Sequence, residues 1–414
     1  MTRAALFALL LGAAAALRAQ DDFFWEDPDL ATAVRAADLI VLGQASAVDS
    51  AAATFTVQRT LAGPARDGAS IRVAGLHHPD RAPEGPPVAV GDRAWLLLLG
   101  DPAGGELRVP TPTFGRFPLK RFGPEDQVVA SLWDTLTRLP VAPATFEAFL
   151  LGLRGGDTKE LLRRARADLE RPDLDPTATY AALRAVAFFG GSDDEQRVLR
   201  VLARHDLQAD ARWVVRMAAA DALGRAGGEG AVKRLTELCR ADAVPAVRSA
   251  AIRALAPALV VGEPAVVREA TAFLGKLALE ASSEPIALFD AEDPRKNEVD
   301  SPLLAALETL AKVRPEEGVG PALRALERQD DIAAVIAGLT FFEVLDDPAH
   351  AGAVAWRMRE AGAEDAMLNR LFARTLQALT GEALGEERER WVAWWRARTL
   401  GPQGPEAPPN GGRR

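Results

Sequence analysis

The sequence predicts a multidomain α+β protein: a small antiparallel β-barrel followed by an all-α solenoid of stacked helix pairs. Three observations predict it. Residues 20–122 hold short apolar, partly alternating runs separated by Gly, Pro and Asp clusters, the pattern of strands and turns. From residue 145 to about 400 the apolar residues recur with a helical period. Within that region a six-residue signature keeps returning, which marks a repeat architecture.

The first element stands outside both domains. "MTRAALFALLLGAAAALRAQ" has one early cation, Arg3, then an apolar run from Ala4 to Leu17 and small residues before Gln20. That is the shape of a signal peptide over residues 1–19, so the protein is expected to be exported, to the periplasm or the extracellular space. The run is shorter than the ~20 residues that span a bilayer, and no later segment is apolar enough; no membrane insertion is expected after signal removal. The 414-residue chain has a formal net charge of -9. An acidic chain lacks the basic footprint that binds phosphate backbones, so nucleic acid is not an expected partner. A lone cysteine, Cys239, excludes an intramolecular disulfide. On a helical stretch it reads as a small core residue.

A short helix over roughly 29–37 precedes the first strand. Strands then follow in "DLIVLGQASAV" (38–48), "ATFTVQRTLAG" (53–63), "ASIRVAG" (69–75), "RAWLLLLG" (93–100) and "GELRVPTP" (105–112). With the later "GRFPL", this order resembles the OB-like barrel of the netrin and TIMP-like group. The metalloprotease inhibitors of that group depend on cysteines near the mature N-terminus. This chain has none there, so the resemblance implies the barrel without inhibition. A linking helix is expected over 123–144, from "FGPEDQVVASLWDTLTRLP" (122–140).

The helical region, 145–400, carries "AALRAV" at 181, "AAADAL" at 218, "AAIRAL" at 250, "AALETL" at 305, "AVIAGL" at 334 and a weaker "LFARTL" at 371. The spacings are 37, 32, 55, 29 and 37. A second amphipathic helix follows, as in "EGAVKRLTELCRA" (229–241), "AVVREATAFLGKLALEA" (265–281) and "GVGPALRALER" (318–328). At helical spacing Val215, Ala219, Ala222, Leu223 and Ala226 share one face, as do Val247, Ala251, Ala254, Leu255 and Ala258. Alanine lets helices approach closely and costs nothing in helix propensity. About six or seven helix pairs are expected.

Asp210, Val215, Arg216, Ala219, Ala222, Leu223 and Gly224, then Asp242, Pro245, Val247, Arg248, Ala251, Ala254 and Leu255, resemble the HEAT-like repeats, in particular the short bilin-lyase type. The resemblance implies an Asp–Arg ladder between repeats built from Asp210, Arg216, Asp242 and Arg248. It also implies that second helices line the concave side, where Lys233, Thr236, Glu237 and Arg240 would meet a partner. Asp210 and Asp242 sit where a carboxylate caps a helix, and Pro245 suits a first turn.

The spacing of 55 marks an insertion, "SSEPIALFDAEDPRKNEVDS" (282–301), read as a polar loop. Its acids lack the EF-hand spacing and central glycine, and a solvated loop is expected rather than an ion site. Trp391, Trp394 and Trp395 share one helical face. They read as a terminal cap packed on "LFARTLQAL", or alternatively as an exposed aromatic patch. Residues 401–414, "GPQGPEAPPNGGRR", read as a disordered tail.

No serine-hydrolase elbow, zinc-protease, P-loop, c-haem or dinucleotide fingerprint occurs. His77, His78 and Asp80 read as a solvated loop, because adjacent residues seldom face one ion. No catalytic residue, metal or cofactor is expected. The expected function is an exported, non-enzymatic scaffold or adaptor that binds a protein or peptide through the solenoid. Two alternatives stand beside it: a bilin-lyase-like enzyme, whose chemistry would rest on Cys239 or His205, and a ligand-binding barrel carried on a solenoid.

Overall fold

The computed structural model describes residues 30–400 apart from 51, 77–87, 102–106, 111–114, 123, 131–138, 206–211, 262–263, 281–300, 329 and 361–365. The chain divides into two units, Met1–Asp157 and Thr158–Arg414.

In the first unit α1 (Leu30–Ala36) precedes β1 (Leu39–Val48), β2 (Ala52–Ala62), β3 (Ser70–Ala74), β4 (Arg93–Leu98), β5 (Leu107–Arg108), β6 (Arg116–Phe122), β7 (Glu125–Ala130) and β8 (Leu139–Val141). They form one sheet in the order β5-β3-β2-β1-β4-β6-β7-β8. All pairs are antiparallel except β3 with β5. Just past β4, Leu99 exchanges backbone hydrogen bonds of 2.8 and 3.0 Å with Arg108. Period-two alternation sends Leu39, Val41, Phe55, Val57, Val73, Leu96 and Leu98 into one core. Trp95 and Leu97 of β4 are buried as well, so this strand is covered on both faces.

Two expectations fail here. In place of the linking helix expected over 123–144, the described residues form β7 and β8 up to Val141. Phe122 stands opposite Glu125 and Leu119 opposite Val128, a hairpin that extends the sheet. Val128 is buried and pairs on its other side with Val141. The open edge of β6 offers backbone partners that periodicity within one segment does not reveal. Pro140 is tolerated because β8 is the outer strand. Secondly, α2 (Pro143–Leu153), expected to open the solenoid, belongs to the first unit. Its Phe146, Phe149 and Leu150 are buried, and Phe146 meets Phe117 of β6 with ring centroids 4.9 Å apart. Just after it, Arg154 donates to the carbonyls of Val34 and Ala37 at 3.1 and 2.7 Å, closing the end of α1.

The second unit opens with α3 (Lys159–Glu170). Six helix pairs follow among the described residues: α4 (Pro176–Phe189) with α5 (Glu195–Leu202), α6 (Trp213–Ala226) with α7 (Glu229–Ala241), α8 (Pro245–Val261) with α9 (Pro264–Glu280), α10 (Pro302–Val313) with α11 (Pro315–Glu327), α12 (Ile332–Leu345) with α13 (Ala351–Glu360), and α14 (Ala366–Thr380) with α15 (Arg388–Leu400). Each of the six signatures lies in a first helix of a pair. Proline starts α4, α8, α9, α10 and α11, where its missing N–H costs no helical bond. Asp175, Ser301 and Asp331 cap α4, α10 and α12.

From α4 to α12, successive first helices touch one another far more extensively than the second helices beside them do. Small residues allow it. A side chain on Gly224 of α6 would place its Cβ 2.5 Å from the Ala254 carbonyl oxygen of α8. Ala218, Ala219, Ala220 and Ala222 are all buried, so α6 is covered nearly all round. The signal peptide, the His77–His78 loop, the tail and all of the 282–301 insertion except Ser301 lie outside the described residues.

Candidate interaction surface

Helix α7 buries Ala231, Val232, Leu235, Leu238 and Cys239 and turns its other side outward. Lys233, Glu237 and Arg240 are exposed there; Thr236 is half-buried. The Thr236 hydroxyl donates to the Val232 carbonyl at 2.9 Å, inside its own helix. Glu237 pairs with Arg234. The Arg240 guanidinium lies over the Phe273 ring of α9, 4.6 Å from its centroid, and so bridges successive second helices.

The four residues of the expected ladder have different fates. Arg216 grips Asp242 with both prongs, at 2.6 and 3.0 Å, and both side chains are fully buried. This pair runs from one helix pair to the next. Asp242 also accepts the Val244 N–H at 3.0 Å at the start of α8. Arg248 meets carbonyls instead: it donates to those of Asp242 and Ala243 at 2.7 and 3.4 Å. Asp210 lies outside the described residues.

A second ladder was not anticipated. Arg184 of α4 bonds Asp221 of α6 at 2.7 Å, with both side chains buried. Arg253 of α8 bonds Glu308 of α10 at 2.9 Å. These four residues all occupy the fourth position of their signatures, with alternating sign. The signal was in the sequence, in "AALRAV", "AAADAL", "AAIRAL" and "AALETL". Farther along, Glu343 of α12 accepts from Thr375 and Arg374 of α14 at 2.7 and 3.1 Å.

Second helices are tied more sparsely. Glu170 of α3 bonds Arg197 and Arg200 of α5, each at 2.9 Å. Glu195 of α5 accepts the Ala231 N–H of α7 at 2.7 Å, and a Cβ on Gly228 would collide with that carboxylate. Asp194 is fully buried and held by Arg166 at 2.8 Å and Arg197 at 2.7 Å. Burial alone would raise its carboxyl; the Arg166 bonds, the Gly191 N–H and the two guanidinium charges outweigh it and hold the group below its ordinary value.

At the far end Trp391 is buried, and its indole donates to the Gly385 carbonyl at 2.7 Å. Trp394 and Trp395 are half-buried. Trp395 stacks edge-on against Trp356, which places α15 chiefly on α13 rather than on "LFARTLQAL" of α14. The residues behind the enzymatic alternative lie apart from one another in character. Cys239 is buried and burial pushes its thiol up, away from the reactive thiolate. His205 is half-buried, and its imidazole is held below its ordinary value by burial and by Arg212, Arg216 and Arg204.

Residues 164–256 match the HEAT repeats family. No curated protein and no solved structure matches the chain.

Proposed function

We propose that this protein is an exported, non-enzymatic scaffold whose helical stack binds a protein or peptide partner. The observation that carries the reading is the HEAT-repeat match over 164–256 together with what those repeats display. Their first helices are spent on one another, whereas second helices such as α7 turn charged side chains outward. Repeats stacked in one dimension give a long surface on which many weak contacts add. The "MTRAALFALLLGAAAALRAQ" leader supports export. In the first unit, the parallel β3–β5 pair and the Leu99–Arg108 bridge support an OB-like closure of the sheet. Its inner face is filled by the side chains of Leu39, Val41, Phe55, Leu96 and Leu98, which favours a packed core over a ligand cavity. The buried Cys239 thiol speaks against a lyase that would use it.

The test is affinity capture from the exporting cell with the full chain and with a chain ending at Asp157. Partners retained only by the full chain are expected. Partners retained equally by the shorter chain would move the binding function to the first unit. Fractionation belongs beside it: a cytoplasmic product that keeps residues 1–19 would overturn export.

A further inference from the structure

Where α3 and α5 end and α4 and α6 begin, a small cleft opens, lined by Asp168, Arg171, Arg204, His205, Arg212 and Thr179 over an apolar floor that includes Leu169 and Val215. Its free volume is about 30 Å³, room for about two water-sized oxygens. Among the described residues three exposed arginines and one carboxylate line it, in a chain that is acidic overall. Among the described residues none of the three has a carboxylate oxygen closer than 3.8 Å. Arg171 stands 3.9 Å from Asp168 and 3.8 Å from Asp173. Arg204 donates to the Arg171 carbonyl at 3.2 Å. Arg212 holds a left-handed backbone, φ 60°, which non-glycine residues rarely adopt.

We propose that this cleft binds a carboxylate of an acidic peptide, with Arg204 and Arg212 as the principal donors. The proposal rests on the scaffold reading above and names the chemistry of its partner. Two oxygens fit the available room, and guanidinium groups suit carboxylates in shape and charge. The site differs from the other arginines of the stack. Arg184, Arg216 and Arg253 already hold acids at 2.6 to 2.9 Å, whereas these line the cleft and, among the described residues, have no carboxylate oxygen closer than 3.8 Å.

His205 reports on occupancy. It faces Asp168 and Arg171 from the end of α3, Arg204 from the end of α5, and Arg212 and Arg216 from the start of α6; Arg216 is already neutralised by Asp242. A bound anion offsets the arginine charges, so the imidazole rises toward its ordinary value and binding tightens as pH falls.

The experiment titrates the full chain with two short glycine peptides. One is blocked at both ends and carries a single Asp; the other has only its C-terminal carboxylate. The Asn counterpart of the first and inorganic phosphate serve as controls, and calorimetry and the His205 proton resonance are followed. The resonance is assigned by His205→Gln. Saturable binding of either peptide is expected, and it identifies the source of the carboxylate. It should weaken by about tenfold or more in Arg204→Gln/Arg212→Asn, with an unchanged melting temperature. Asparagine is chosen because it tolerates the left-handed backbone. Equal binding by the double variant, equal binding of the Asn peptide, preference for phosphate, or a His205 pKa that does not rise on saturation would each overturn the proposal. The scaffold reading falls separately: it fails if the chain ending at Asp157 captures the partners, whatever the cleft variant does.

Discussion

Asp242 holds a buried guanidinium and the first turn of α8 with one carboxylate. Removing it strips the buried Arg216 guanidinium of both these bonds. Asp242→Ala should therefore cost ~3–5 kcal/mol, read as a shift of the urea midpoint. Adding Arg216→Met should recover a large part of that loss, because the stranded charge goes with it; no recovery would mean that the cap matters more than the pair. Cys239 makes a second test at this scale. Its thiol should resist alkylation in the native protein and react on unfolding. Native labelling would contradict the burial on which the argument against catalysis rests. Both positions were legible in the sequence, and the resemblance implied a ladder of Asp and Arg between repeats, but not which acid Arg216 takes. Equal spacing of Asp and Arg within each repeat fits a bond inside a repeat as well as one between repeats; only burial of Arg216 against the next pair decides it. The cleft was less legible still. Arg171, Arg204 and Arg212 stand outside the signature and come from the ends of three separate helices.

Helices declared themselves where the alanine signature recurs, because close packing demands small residues at fixed positions. They misled around 123–144, where β7 forms because β6 has an edge to share. The limit of helix approach is testable with two glycines. Gly224 faces the Ala254 carbonyl, whereas Gly275 of α9 has open space around its would-be Cβ. Gly275→Ala should stabilise by up to about 1 kcal/mol through helix propensity alone. Gly224→Ala gains the same propensity but forces α6 and α8 apart, so a net loss of ~1–3 kcal/mol is expected. Thermal unfolding of the two variants compares them directly. If both stabilise, the α6–α8 contact is looser than described.

For the second unit as a whole, the carboxylates that stitch helix to helix predict the response to acid. Glu170 is held below its ordinary value: burial would raise it, but its bonds to Arg197 and Arg200 prevail. Asp194 is held below 3.8, while His205 is held below 6.5. In each case the unfolded chain binds protons first, so stability is highest near neutrality and falls with acid. The fall should begin gently below 6.5 through His205 and steepen below 3.8 as Asp194 titrates. Denaturant midpoints measured from about pH 7 to about pH 3 check the order; a flat profile would show that these groups are not linked to folding. The fourth-position rungs have one more consequence, for how such a chain can change length. Arg184, Asp221, Arg253 and Glu308 alternate in sign along successive repeats. Excising the α6–α7 repeat would set the buried Arg184 against the half-buried Arg253, two like charges in place of a bond. Excising two adjacent repeats would restore an opposite pair, Arg184 against Glu308. The array therefore carries a parity, and gains or losses in steps of two preserve it where single steps do not.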